Sequence, residues 1–157
     1  MKVKEIIFED FVNYKRPCMF IGTCRCDWKC CIENANCKCQ NAGISRYPDI
    51  TVKDERLIEL YLDNPITHAV VFGGLEPLLQ FEEVIEFIRK FRECSNDDVV
   101  IYTGYFPEEI EKEVNLLKIF PNIVMKFGRF RPDESPHFDE VLGVDLPNRE
   151  QFGMKIS

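Results

Sequence analysis

Apolar runs alternate with amphipathic stretches along most of the chain. Four continuous apolar runs predict buried strands: CMFIGT, THAVVFGG, DVVIYTGY and NIVMKFGRF. Helical spacing of apolar positions predicts helices in DERLIELYLD, LLQFEEVIEFIRKFRE and PEEIEKEVNLLK. A further short strand is predicted at KVKEIIF. Residues 131–157 are rich in turn residues, so we expect this tail to be mostly irregular.

The order of these elements predicts an α/β fold. Repeated strand–helix units of this size favour a parallel sheet with right-handed crossovers. A closed eight-stranded barrel typically needs ~250 residues, whereas the chain has 157. We therefore expect an open, partial (β/α) barrel with a mostly parallel sheet, formed by residues 1–157 as a single domain.

Charge and hydropathy exclude two classes of partner. Twenty-seven acidic residues against twenty basic ones give a net charge of −7, which disfavours binding to nucleic acid. The apolar runs are far shorter than the ~20 residues that cross a bilayer, so no membrane association is expected. Because no apolar signal stretch follows Met1, we expect a reducing, cytoplasmic location.

The chemistry is concentrated in residues 24–41, CRCDWKCCIENANCKCQN, which hold six of the eight cysteines. Several thiolates on one short loop repel one another unless a cation neutralises them. Since disulfides are disfavoured in a reducing compartment, this loop predicts a metal site. Cys18 lies in an apolar run and Cys94 near a helix end, so both are expected to pack as small hydrophobic residues.

Two kinds of metal centre suit such a loop. Zinc would be closed by four thiolates, and an Fe–S cluster held by only three would leave one iron open to an outside ligand. The thiolates available to either centre are Cys24, Cys26, Cys30, Cys31, Cys37 and Cys39.

The loop spacing resembles that of radical S-adenosylmethionine (SAM) proteins. Cys26, Cys30 and Cys39 with Asn41 give C-x3-C-x8-C-x-N. The family pattern is C-x3-C-x2-C, and the small activating enzymes of anaerobic ribonucleotide reductase commonly continue with x-Asn. The longer gap makes CIENANCK an insertion, which leaves Cys31 or Cys37 as alternatives to Cys39.

A glycine pair ends the second apolar strand, in Gly73-Gly74-Leu75-Glu76-Pro77. Paired glycines let a ligand approach the backbone without obstruction by Cβ, although a tight turn also explains them. The segment resembles the family's Gly-Gly-Glu-Pro motif, whose backbone contacts the amino group of SAM, with Leu75 as an extra residue.

Two further segments follow strands at the same predicted edge. Tyr102-Thr103-Gly104-Tyr105 resembles the VYTGY segment of the reductase activases, which implies that Thr103 and Gly104 line the pocket. Gly128-Arg129-Phe130 resembles the family's D-G-x-F region, with Lys126-Phe127 in place of the acidic residue. Arg129 is expected either to meet a SAM carboxylate or to be a solvated surface residue.

The resemblance to radical SAM activases covers essentially the whole chain and implies a function. A [4Fe-4S] cluster held by Cys26, Cys30 and Cys39 would take an electron from a low-potential donor and cleave SAM reductively. The resulting radical would remove hydrogen from a glycine of anaerobic ribonucleoside-triphosphate reductase. The implied SAM contacts are Asn41, Gly73, Gly74, Glu76, Thr103 and Gly104.

Two alternatives stay open at this point. The first is an enzyme that activates another glycyl-radical protein or modifies a peptide. The second is a non-enzymatic Fe–S or zinc protein whose glycine turns serve only the fold.

Overall fold

A computed structural model describes residues 1–34 and 39–157. The strands are β1 (Lys2–Val3), β2 (Glu5–Asp10), β3 (Cys18–Thr23), β4 (Ile50–Thr51), β5 (Ala69–Gly74), β6 (Asp98–Tyr102), β7 (Ile123–Phe127), β8 (His137–Asp139), β9 (Val144–Leu146) and β10 (Phe152–Lys155). The α-helices are α1 (Lys29–Ile32), α2 (Asp54–Leu62), α3 (Phe81–Phe91) and α4 (Glu111–Leu117). Short 3-10 helices span Ile44–Arg46, Pro77–Gln80 and Pro107–Glu109.

The central sheet has the strand order β10-β7-β6-β5-β3-β2. Strands β3, β5, β6 and β7 run parallel, and β2 and β10 add antiparallel edges. The predicted α/β fold with a mostly parallel sheet is therefore confirmed. Among the described residues the edge strands β2 and β10 do not pair with each other, so the sheet is not a closed barrel.

One face of the sheet carries the larger core. Alternate residues of the parallel strands, such as Phe72 and Ile101, pack with α2, α3 and α4, whose apolar faces carry Leu57, Phe87 and Leu117. This arrangement explains the continuous apolar strands, because both faces of the sheet are covered. Among the described residues, no helix combines the length and apolar character that crossing a membrane requires.

The opposite face carries a smaller core that the tail helps to cover. Phe20, Val71 and Val124 pack there with Tyr14 and Leu142. Tyr14 precedes β3, and Leu142 lies in the turn between β8 and β9. The tail therefore belongs to the folded core of the domain.

Three short strands cover ten of the 27 residues of the tail, which is otherwise irregular as expected. Strands β8 and β9 form an antiparallel pair, and β10 pairs with β7 at the sheet edge. The Asp139 carboxylate accepts hydrogen bonds from Leu142 N and Gly153 N, both at 2.8 Å, and so joins this pair to β10. These strands are short and depend on partners that the local pattern does not reveal.

The two cysteines outside the loop behave differently. Cys18 is fully buried in β3, which confirms its expected packing. Cys94 is exposed, so the expectation that it packs as a small hydrophobic residue is wrong. It lies beyond the last residue of α3, where the apolar face of the helix has already ended.

Replacing Phe87 tests the packing of α3 on the sheet. Its ring is fully buried, edge-on to Phe72 at 5.3 Å and stacked with Phe91 at 5.8 Å. We expect Phe87→Ala to lower the free energy of unfolding by about 3–5 kcal/mol, because it leaves a cavity in the core. Urea titration measures the change, and Phe138→Ala at a 61% exposed ring is the control. Equal losses in the two variants would contradict the packing.

Candidate cofactor site

The candidate site lies where the four parallel strands end. Parallel strands present their carboxyl ends at one edge of a sheet, where ligands of α/β folds gather. A pocket opens there with about 680 Å³ of space, counting the part open to solvent. Its lining includes Cys26, Cys30, Cys31, Cys39, Asn41, Gly74, Glu76, Tyr102, Thr103, Gly104, Lys126, Gly128 and Gln151.

The three predicted metal ligands share this pocket. Cys26, Cys30 and Cys39 all line it and all carry free thiols. Between the first two, Trp28 has a left-handed φ of 60°, and its backbone N–H donates to Cys26 Sγ at 3.3 Å. A side chain at Gly104 would place its Cβ 3.1 Å from Cys30 Sγ, so the glycine leaves room for this thiol.

The number of free loop thiols in the pocket equals the number that a cluster with one open iron uses. Within residues 1–34 and 39–157, no three His, Cys, Asp or Glu side chains converge on one point as a single metal ion requires. A [4Fe-4S] cluster needs no such convergence, because its thiolates bind different irons. Burial raises the pKa of the Cys26 thiol to about 11, so binding of iron there must displace a proton.

The other loop cysteines differ in their surroundings. Among the described residues, Cys24 lies outside the pocket lining, and burial, with a smaller contribution from the Asp49 carboxylate, raises the pKa of its thiol to about 11. Cys31 lines the pocket but is disulfide-bonded in the structure, contrary to the expectation that disulfides are disfavoured in this loop. Cys37, the second alternative to Cys39, lies outside the described residues.

The glycine pair divides between the pocket and the core. Gly74 lines the pocket with a φ of +79°, and its carbonyl accepts a hydrogen bond from Asn41 Nδ2. Asn41 therefore ties the cysteine loop to the end of β5. Gly73 does not belong to the lining given by the described residues, and a Cβ there would lie 2.7 Å from the Phe20 ring. The backbone conformation thus requires a glycine at position 74, and packing against Phe20 requires one at position 73, whether or not a ligand binds.

Glu76 connects three loops beneath the pocket. Its carboxylate accepts from Gly104 N at 2.8 Å and from Leu78 N at 3.1 Å, and its own N–H donates to Arg25 O at 2.7 Å. Burial raises the pKa of this carboxyl to about 7, although these hydrogen bonds oppose the shift. Thr103 is buried beside it and accepts from Tyr105 N at 3.0 Å.

The alternative that Arg129 is a solvated surface residue is wrong. Its side chain is buried, with the whole residue 1% exposed. The guanidinium donates to Glu33 at 3.0 and 3.1 Å, to Glu109 at 2.7 Å and to Gly104 O. Sequence alone did not show this burial, because the two carboxylates lie 96 and 20 residues away along the chain.

The Arg129 cluster, Arg129 with Glu33 and Glu109, fixes the cysteine loop to the sheet. Lys29 also pairs with Glu109, and Tyr105 Oη donates to Asp27 at 2.6 Å. These side-chain contacts hold residues 27–33, which include Cys30, against the ends of β6 and β7. The hydrogen bond from Arg129 is the main cause of the lowered pKa of Glu109, about 2.

Comparison with known proteins assigns the family. The sequence profile of the 4Fe-4S single cluster domain matches residues 15–140, well over half of the chain. The chain belongs to the 4Fe-4S single cluster domain family. No curated protein and no solved structure gives a significant match. Membership of the 4Fe-4S single cluster domain family supports a [4Fe-4S] cluster as the cofactor.

Two pocket residues of this 4Fe-4S single cluster protein were missed as site residues. Lys126 is buried in β7, and a lysine within the apolar run IVMKF is itself an unusual feature that draws attention to it. Gln151 lies between β9 and β10 in the tail, and nothing in its sequence context marks it. It also lies beyond residues 15–140, the part that matches the family.

Serine substitutions test the three thiol ligands. We expect about four irons per chain in the anaerobic protein. Each of the variants Cys26→Ser, Cys30→Ser and Cys39→Ser should lose most of this iron. Serine offers a harder oxygen ligand in place of a soft thiolate. Iron and acid-labile sulfide assays measure the content, and Cys94→Ser is the exposed control. Full iron content in Cys39→Ser would exclude Cys39 as the third ligand.

Arg129→Met tests whether the Arg129 cluster holds the loop. Removing the buried guanidinium leaves the partly exposed Glu33 and Glu109 without their shared cation, so we expect a loss of about 2 kcal/mol in unfolding free energy. Backbone hydrogen exchange should accelerate in residues 27–33. The control is Arg56→Met, whose exposed pair with Glu59 should change stability by less than about 1 kcal/mol. Unchanged exchange in residues 27–33 of Arg129→Met would contradict the role of the cluster.

Proposed function

We propose that this 4Fe-4S single cluster protein is a radical SAM enzyme that generates a glycyl radical on anaerobic ribonucleoside-triphosphate reductase. The observation that carries the proposal is the shared pocket of Cys26, Cys30 and Cys39. Three thiolates on a [4Fe-4S] cluster leave one iron open to a ligand from outside the protein. The C-x3-C-x8-C-x-N spacing and the YTGY segment add the family resemblance.

The surroundings of the thiols support SAM as that ligand. Asn41, Gly74, Glu76, Thr103 and Gly104 lie along the same lining, as the motif resemblance implies. The mostly parallel sheet that stops short of closure is consistent with the partial barrel of radical SAM proteins.

The residues of this chain would bind and orient the reactants. With cluster and SAM bound, the site would supply one-electron reductive cleavage of SAM and hydrogen abstraction from a glycine. Asn41 and Glu76 hold the cysteine loop, β5 and the turn after β6 together, which fixes the pocket wall. The Arg129 cluster keeps residues 27–33 over the strand ends.

The open side of the pocket supports the proposal of a protein partner. A radical able to attack a C–H bond needs shielding from solvent and stray donors. We propose that the reductase closes over this edge and inserts its glycine loop, while a low-potential donor supplies the electron in a reducing cytoplasm. The choice of reductase rests on the resemblance to the activases.

Electron paramagnetic resonance tests the proposal. The cluster-loaded protein, mixed anaerobically with dithionite, SAM and the reductase, should give a glycyl-radical doublet and methionine. Cys30→Ser is the inactive control and Cys94→Ser the active one. SAM cleavage without a radical on the reductase would favour another glycyl-radical protein or a peptide as substrate. No cleavage by the cluster-loaded protein, or stoichiometric zinc without sulfide, would favour the non-enzymatic alternative.

A further inference from the structure

An apolar groove with an acidic rim lies at the corner formed by β2 and the end of α2. Phe8 is 47% exposed there and Ile66 is 42% exposed, although both side chains are large and apolar. Contiguous exposed apolar surface with a polar rim marks interaction sites in soluble proteins. We call this feature the β2–α2 groove, and its lining is Phe8, Glu9, Leu60, Asp63, Asn64, Pro65 and Ile66.

Hydrogen bonds join the two walls of the β2–α2 groove. Asn64 Nδ2 donates to Glu9 Oε1 at 3.3 Å and to Phe8 O at 3.5 Å, and Asn64 Oδ1 accepts from Ile66 N at 2.9 Å. The residues that follow α2 are therefore fixed to the edge strand. Because the groove is preformed, a ligand can fill it with little reordering of the protein.

The groove lies at the opposite end of the sheet from the cluster pocket. Ile66 precedes β5, and Glu9 is near the end of β2, which runs antiparallel to β3. Both residues therefore lie where the parallel strands begin. A strand of six residues, the length of β5, is roughly 20 Å long. A partner bound in the groove would leave the cluster edge free.

The charge of the groove indicates the chemistry of its occupant. Glu9 and Asp63 are both exposed, and no basic residue belongs to the lining given by the described residues. Arg89 lines a neighbouring groove that shares Asp63, but its guanidinium is already paired with Glu86 at 2.6 Å. An apolar side chain suits the groove, and a cation beside it would complement the two carboxylates.

A second copy of this chain is a poorer occupant. A twofold contact brings the same surface of both copies together, so Glu9 and Asp63 would face their own counterparts. Addition of a strand to the edge of β2 is also hindered. The pairing of β2 with β3 shifts register between Ile7 and Asp10, and the Asn64 side chain covers the edge beside this shift. Bulges and covering groups of this kind protect sheet edges from pairing.

We propose that the β2–α2 groove docks a segment of a partner protein that carries a large apolar side chain beside a lysine or arginine. The apolar side chain would pack against Phe8 and Ile66, and the basic one would lie between Glu9 and Asp63. This docking site is separate from the cluster edge, and it does not depend on the proposed function.

Selection from a random-peptide phage library on the cluster-loaded protein supplies the probe. The library is first depleted on the Phe8→Ser variant, which keeps the other surfaces of the protein. We expect the enriched peptides to share a large apolar residue beside lysine or arginine. No enrichment, or enrichment of peptides without a basic residue, would overturn the proposal.

Two variants test the apolar contact, with the best peptide synthesised, labelled and titrated by fluorescence anisotropy. Ile66→Glu should weaken binding roughly tenfold or more, which is the worth of burying one such side chain. Ile119→Glu is the matched control, because Ile119 is 71% exposed and lies outside the groove lining. Its affinity should stay within about twofold. Equal affinities of Ile66→Glu and Ile119→Glu would contradict the docking site.

A charge swap tests the acidic rim. Asp63 caps the carboxyl end of α2, where a basic side chain is compatible with the helix dipole, so Asp63→Lys should fold. It should weaken the selected peptide roughly threefold or more. A peptide whose basic residue is changed to glutamate should bind Asp63→Lys more tightly than it binds the unsubstituted protein. Absence of this reversal would exclude recognition by charge.

The oligomeric state tests the alternative occupant. We expect light scattering to give the same mass for the unsubstituted, cluster-loaded protein and for Ile66→Glu. A dimer that Ile66→Glu converts into a monomer would assign the groove to a second copy of this chain and overturn the proposal.

Discussion

Parallel pairing of β3, β5, β6 and β7 is the constraint on which the rest of the structure depends. It brings the carboxyl ends of four strands to one edge and requires a separate loop after each of them. The cysteine loop, the Glu76 turn, the Thr103-Gly104 turn and the Gly128-Arg129 turn therefore meet around one pocket. Residues of these four loops that are far apart in sequence become neighbours through this pairing.

Hydrogen bonds and ion pairs fix these loops relative to one another. Glu76 links two turns to the start of the cysteine loop, and Arg129 reaches Glu33 at the end of α1. Both side chains are buried, so their contacts lie in surroundings of low dielectric constant. Losing one partner there costs stability, because a polar group is left unpaired. The thiols are consequently positioned by contacts that do not involve the cluster, which is the arrangement expected of a preorganised site.

The sequence predicted the elements with strong local patterns and missed those that depend on distant partners. Buried strands such as Ala69–Gly74 and the amphipathic helix Phe81–Phe91 follow from apolar periodicity. Strand β10 was missed because it forms by pairing with β7, and the burial of Arg129 because it requires Glu33. The thiols and glycine turns were found through their spacing, whereas Gln151 reaches the pocket only because the tail packs on Gly128.

The central claim is that Cys26, Cys30 and Cys39 hold a [4Fe-4S] cluster whose remaining iron binds SAM. Mössbauer spectroscopy of the ⁵⁷Fe-loaded protein, with and without SAM, tests it most directly. We expect one iron of the cluster to differ from the others and its isomer shift to change when SAM is added. Irons that remain equivalent and unaffected by SAM would indicate full ligation by the protein and would contradict the claim.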